Sequence, residues 1–347
     1  MDGSAIVWCD GAFGTPTGKT AHGLVRRTRR YRVVAVVDHR HAGADAGELL
    51  DGRPSGIPIA RDLPAALAEH PATHCVIGLA PDGGRMDAAT RAGVLAAIEL
   101  GLNVDAGLHD FLADDAGIAQ AAARRGVELR DVRRTPPRSE LHAFSGRIEQ
   151  VTALKVAVLG TDSAVGKRTT AWLLADALTA AGARAELIGT GQTAWLQGAR
   201  YGILLDALIN DFVAGELEHA IVTAFQRERP DAIVIEGQGS LMNPAYPGGL
   251  EILAAGRPDA VVMQHAPARR EYDGFPGNPL HPLDHQIRAV ELLSGRPVVA
   301  IAVNHEDIPA AGIDAVCRAI EEATGLPTRD PLVHGAADLA AAVLKRR

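Results

Sequence analysis

The chain has 347 residues, 47% of them apolar and 22% charged, with a formal net charge of −7. That length suits two domains of about 150 residues each, and the acidic balance argues against a nucleic-acid duplex as main partner. Aromatic residues are only 4%, too few for single-strand stacking platforms, and Cys9, Cys75 and Cys317 are widely spaced with no CxxC pair, which points to a reducing compartment and away from a disulfide or zinc framework.

From the N-terminus, residues 5–9, "AIVWC", and 31–38, "YRVVAVVD", read as strands with a helix from about Thr20 to Arg29 between them. The run Arg26, Arg27, Arg29, Arg30, Arg32 fits the end of that helix, where cations oppose the negative pole of the dipole. The loop between, "GAFGTPTGK", is glycine-rich, but Gly11, Gly14 and Gly18 are spaced by three and four, not by the two and three of a dinucleotide fingerprint. Asp38 ends the second strand where such folds place a ribose contact. A small anion is favoured over a dinucleotide for this loop, and a structural turn stays open. A third strand is expected at 73–79, a helix near 86–101, a strand-like piece at 102–105, a helix at 115–125 and a strand at 127–131. Strand and helix in succession imply a parallel sheet with right-handed crossovers.

Residues 136–150, "PPRSELHAFSGRIEQ", lack a periodic apolar pattern and read as a linker between domains at 1–135 and 151–347. Strands then restart at 154–160, 183–190, 231–237, 259–266 and 296–304, with a helix from about Gly166 to Ala181. Runs of consecutive apolar residues mark strands buried on both faces. The fold expected is α/β, with two doubly wound domains.

The strand at 154–160 runs into "GTDSAVGK" and a helix follows directly. In that context Gly160, Thr161, Asp162, Ser163, Ala164, Val165, Gly166 and Lys167 read as a loop that aims backbone N–H groups and an ammonium at phosphate. Arg168, Thr169 and Thr170 complete the expected cofactor-binding set, with a threonine hydroxyl as candidate ligand for magnesium. Glu236, at the carboxyl end of "IVIEG", is the candidate acidic partner of that metal. Asp206 and Asn210 fall at helical spacing with Asp211 beside them, so the first two are expected to share one helix face, where an amine substrate would be held or deprotonated. His265 closes a strand and is followed by Arg269 and Arg270, which suit a substrate carboxylate. His281 and His285 flank Asp284 at a metal-ligand spacing, yet Pro282 favours a helix opening there.

The loop resembles the "GTDTxVGK" phosphate loop of dethiobiotin synthetases, and "VIEGQG" is similar to the acidic segment that holds magnesium in those enzymes. They place threonine directly after the lysine, where this chain has Arg168. The resemblance also implies that Asn304, ending "VVAIAVN", reads adenine. With "GTGQTAWLQGARYGILLDALINDFVAGELE" and "QHAPARREYDGFP" added, the chain resembles the DUF1611 family almost end to end. That resemblance implies an N-terminal Rossmann-like domain, a C-terminal P-loop NTPase-like domain, and the activity of D-glutamate N-acetyltransferases found in the family. Gln192 and Thr193, in the first of these segments, join Asn210, Asp211, His265, Arg269 and Arg270 as expected substrate contacts.

The expected function is formation of an N-acyl or amide bond on a small acidic amino acid, with Lys167, Glu236 and Asp206 as catalytic candidates, ATP or acetyl-CoA as cofactor, and Mg2+ held by Thr169 and Glu236. Alternatives are an ATP-dependent amidoligase or small-molecule kinase, a non-catalytic nucleotide sensor, and a nicotinamide oxidoreductase using the first loop. The first residues show no basic start with a long apolar stretch, and no run of about 18 apolar residues occurs. A cytoplasmic homo-oligomer without nucleic-acid or membrane partners is expected.

Overall fold

A computed structural model describes residues 1–346, and the chain divides into two units: Met1–Thr135 with Gln192–Ala199, and Pro136–Gly191 with the chain from Arg200 onward. In the first unit β1 (Gly3–Trp8), β2 (Tyr31–Val37), β3 (Ile59–Ala60), β4 (His74–Ile77), β5 (Asn103–Ala106) and β6 (Leu129–Asp131) form one sheet in the order β3-β2-β1-β4-β5-β6. Every pairing is parallel. This is the strand order of a doubly wound nucleotide-binding sheet. Helices α1 (Lys19–Arg26), α2 (Ala46–Asp51), α3 (Leu63–Glu69), α4 (Ala88–Glu99) and α5 (Ala116–Arg125) make the connections. The stretch containing α2, β3 and α3 lies outside the expected elements, because pieces of two to seven residues are too short to show a period. Each helix is capped by an aspartate: Asp45 accepts the N–H groups of Gly47 and Glu48, and Asp62 that of Ala65.

The second unit carries β7 (Leu154–Gly160), β8 (Ala185–Gly189), β9 (Tyr201–Gly202), β10 (Ala232–Glu236), β11 (Ala260–His265), β12 (Val298–Val303) and β13 (Thr328–Arg329), again all parallel, in the order β13-β12-β11-β7-β10-β8-β9. Along the chain from β7 come α6 (Lys167–Ala180), α7 (Gln192–Leu196), α8 (Asn210–Glu228), α9 (Leu250–Gly256), α10 (Leu283–Ser294), α11 (Ile313–Thr324) and α12 (Ala337–Leu344). All seven residues of β7 are buried, as a parallel strand between two neighbours and under helices must be. Ala157, Leu217, Ile221, Ile233, Ile235 and Val261 are fully sealed in the core below it, and each large aliphatic side chain there is worth roughly 1.5–3 kcal/mol. With β10 on one side of β7 and β11 on the other, the turn after β7 opens into the crevice where open α/β sheets bind ligands.

Two stretches differ from their sequence reading. Residues 136–150 are pinned to the second unit, with the buried Glu218 of α8 accepting the N–H groups of Ser145 at 2.7 Å and Ile148 at 3.0 Å. The arginine run does more than end α1 at Arg26. Arg30 lies over the Trp195 ring at 3.7 Å and donates to its carbonyl, while Gln197 donates to the carbonyls of Gly23 and Arg27. These contacts seat α7 within the first unit. Among the described residues, no helix is long and apolar enough to cross a membrane.

Candidate phosphate-binding site

The chain leaves β7 at Gly160 and enters α6 through Gly166, whose φ of +105° only glycine adopts without strain. Ala164 also has positive φ, at 51°, which is uncommon for a residue with a side chain. Such a turn points successive N–H groups to one side as an anion-binding nest. Those of Ala164, Val165 and Gly166 take no acceptor from the described residues. Lys167, buried at the first position of α6, lays its ammonium across the loop and donates to the Asp162 carbonyl at 2.6 Å.

A buried clamp holds this turn. Asp162 is 0% exposed; one oxygen accepts Ser163 N–H and Asn243 Nδ2, each at 2.7 Å, and the other accepts Arg269 at 2.9 Å and Asp273 N–H at 2.8 Å. Arg269 also donates to the Ser163 carbonyl and to Glu306, both at 2.8 Å. Burial disfavours its charge, but Asp162 and Glu306 more than compensate and raise its pKa. Ser163 donates to Asp273 at 2.7 Å, Asn304 donates to the Val165 carbonyl at 3.0 Å, and the Thr170 hydroxyl donates to Gln264 Oε1. Arg269 and Asn304, expected to meet substrate carboxylate and adenine, are thus engaged in bracing the loop, and the Asp162 carboxylate faces inward. Asn243 and Gln264 escaped the sequence reading. Gln264 was findable as a polar residue inside an apolar strand, whereas nothing local marks Asn243.

Glu236 ends β10 beside Val158 of β7. Gly237 follows, and a methyl there would stand 2.2 Å from the Val158 carbonyl oxygen and 3.0 Å from Lys167 Cδ, so glycine lets β10 end directly under the lysine. Glu236 is 4% exposed and accepts Thr190 N–H at 2.8 Å. Burial raises its pKa, and the neighbouring Arg168, the Thr190 N–H and Lys167 oppose that rise. The usual metal in this position is held by a hydroxyl directly after the lysine. Arg168 occupies that position here, Thr170 is committed to Gln264, and Thr169 projects about 100° further round the helix. Thr169 and Glu236 therefore do not reproduce the donor set of a P-loop magnesium site.

Asp206 and Asn210 do not share a helix face. Asp206 sits in a one-turn 3-10 segment, Leu205–Ala207; Leu208 and Ile209 are extended, and α8 opens only at Asn210. The Leu205 N–H bonds the Thr190 carbonyl at 3.1 Å, so this turn lies on the same rim of the sheet as Glu236. Asp206, Asn210, Asp211 and Arg270 are all exposed, and Asp211 in the first turn of α8 suits the helix dipole. Gln192 and Thr193 are buried in the first unit, where the Thr193 and Thr20 hydroxyls bond at 2.9 Å. His281 bonds the Tyr272 hydroxyl at 2.7 Å and α10 opens after Pro282, in line with a helix start.

His265 closes β11 and bonds the Thr161 hydroxyl through Nδ1 at 3.0 Å. Burial lowers its pKa to about 4, so the ring is neutral at pH 7. Unfolded histidine titrates near 6.5, so between that value and about 4 the unfolded chain binds the extra proton. Stability is full above that window and falls as pH drops through it. His265→Gln is expected to flatten the loss between pH 7 and 5 in urea titrations; an unchanged difference would contradict this.

In the first unit Asp38, proposed from sequence as a ribose contact, braces its own loop. It is fully buried and accepts Phe13 N–H at 2.7 Å, Arg40 N–H at 2.8 Å and Gly11 N–H at 3.2 Å. Burial works against its ionisation, but these donors and His41 hold its pKa below the usual range. Among the described residues, Asp10, Asp38 and His39 bring metal-ligand atoms within 4.8 Å of one another, yet the Asp38 oxygens are already taken by that brace.

Residues 142–340 match a family described as DUF1611, a C-terminal P-loop domain of unknown function, and residues 39–135 match its N-terminal Rossmann-like domain. A protein of Tritonibacter scottomollicae named D-glutamate N-acetyltransferase is 33% identical, with 76% of this chain and 79% of that protein covered. A second of that name, from Pseudoalteromonas sp, is 30% identical over 75% and 78%. The crystal structure of a DUF1611 family protein from Anabaena variabilis superposes with a TM-score of 0.90 at 30% identity over 99% of both chains.

Proposed function

The chain belongs to the DUF1611 family, and on that premise we propose that it is an N-acyltransferase acting on the amine of a small acidic amino acid, D-glutamate first, with acetyl-CoA as donor. The observation that carries the reading is the outward nest at residues 164–166, backed by Lys167 at the N-terminus of α6. It suits bound phosphate groups, and the curated relatives supply the reaction class.

In this reading the nest and Lys167 fix the phosphates of the donor. The amine lone pair attacks the thioester carbonyl, the C–S bond breaks, and the thiolate leaves as the free thiol after taking up a proton. A rim carboxylate accepts the proton lost by the amine, and Asp206 is the candidate because it is exposed on that rim. Arg270, exposed after β11, is the candidate for a substrate carboxylate now that Arg269 is engaged with Asp162.

The test supplies D-glutamate with acetyl-CoA, or with ATP, magnesium and acetate, and follows free thiol, ADP and N-acyl product together. Free thiol and N-acetyl-D-glutamate in equal amounts without ADP are expected. ADP formation tied to product would replace the reading with a ligase, and no product in either mixture would remove it.

A further inference from the structure

Independently of the phosphate-loop reading, we propose that the second unit carries a further anion site at the opposite end of its sheet, a groove in which Arg229 and Arg346 take a compact ligand bearing two or more negative charges, a phosphate or a polycarboxylate.

The groove has a volume of about 660 Å³, the size of a small-molecule site. It lies where the strands of this sheet begin: Lys155 is the second residue of β7, and Arg184, Asp231 and Asp259 directly precede β8, β10 and β11. Five steps of extended chain, about 16 Å, separate Lys155 from Gly160, so the groove is not the crevice of the phosphate loop. Among the described lining residues, four cations from separate stretches of chain stand against two carboxylates. Lys155 lies 3.1 Å from Asp259, and Arg184 lies 3.3 Å from Asp231. Each aspartate also accepts the backbone N–H of the same partner, at 2.9 and 3.0 Å, so both pairs are fixed and their charges cancel. Arg229 and Arg346 are left over. Among the described residues no carboxylate lies within ion-pair distance of either, and the Arg229 guanidinium stands 5.3 Å from the centre of the Phe225 ring, another wall of the groove. The backbone of Arg229 is a second observation. It closes α8 with φ 48° and ψ 51°, a conformation in which glycine is the usual residue. Strain kept at one position points to a use for its side chain. Two guanidiniums without carboxylate partners on one concave surface, in a chain of formal net charge −7, attract an anion and offer its oxygens paired N–H donors.

The test is calorimetric titration of the whole protein at low ionic strength with inorganic phosphate and, separately, with citrate, comparing wild type with Arg229→Gly and Arg346→Ala. At least one anion is expected to bind, and each variant is expected to weaken that binding by about tenfold. Binding of phosphate alone assigns a phosphate ligand, and binding of citrate alone assigns a polycarboxylate. Arg229→Gly removes the guanidinium while relieving the backbone, so its Tm is expected to equal or exceed that of wild type. A variant that merely damaged the fold would melt lower. Should Arg229→Gly not fold, Arg346→Ala, at the exposed end of α12, decides alone. Affinities that both variants leave within about twofold of wild type place the anion elsewhere and overturn the assignment, as does binding of neither anion. CoA titrated into the same proteins keeps the two readings apart: both variants are expected to bind it as wild type does, and wild type that binds citrate or phosphate in the groove but no CoA removes the phosphate-loop reading alone.

Discussion

Lys167→Ala is expected to lower the affinity for CoA by about 10- to 100-fold while the protein stays folded. A charge-assisted bond from ammonium to phosphate is worth about 1.5–3 kcal/mol, which spans that range. The fold loses the buried bond to the Asp162 carbonyl and a cation near Glu236, so a lower Tm is expected beside the weaker binding. Titration calorimetry with CoA, beside a thermal melt, separates the two effects. Unchanged affinity would mean that the phosphates sit elsewhere. A collapse of the melt would mean that the lysine is chiefly a strut of the loop.

Asp162→Ala reverses that balance and is expected to act first on stability. The substitution takes the buried acceptor from Arg269, which keeps Glu306 at the exposed side, and from Asn243 and two backbone N–H groups that now converge on one sealed carboxylate. Removing one partner of a buried ion pair costs about 3–5 kcal/mol. For a unit of this size that corresponds to a fall in Tm on the order of 10 °C. Asp162→Asn keeps one acceptor oxygen but loses the ion pair, so it should fall between the alanine variant and the wild type. A melt within error of wild type for the alanine variant would show that the clamp is not what shapes the loop.

The site was legible in pieces. The glycine pattern, the lysine and the helix start of the phosphate loop are local features, and the turn at 160–167 forms where its sequence places it. Roles that depend on direction were not legible. Asp162, Arg269 and Asn304 have the chemistry of ligand-binding residues, and their sequence positions are right for it, but their side chains turn towards one another and hold the loop. The separation of Asp206 from Asn210 hinges on two extended residues, Leu208 and Ile209, which no count of spacing reveals. Gln192 and Thr193 follow β8 in the chain yet pack with the first unit, because the arginines after α1 offer Trp195 a stacking surface and Gln197 two carbonyls.

By itself the sequence determined that there are two parallel α/β sheets, where their buried strands run, and that the second sheet carries a phosphate loop. Those properties follow from hydrophobic runs and from backbone freedom at glycine, which act over a few neighbouring residues. Tertiary structure alone decided which polar groups face outward and which serve as braces. That choice depends on partners more than eighty residues apart in sequence, as Asp162 is from Arg269, and on whether burial leaves a charge any other neighbour.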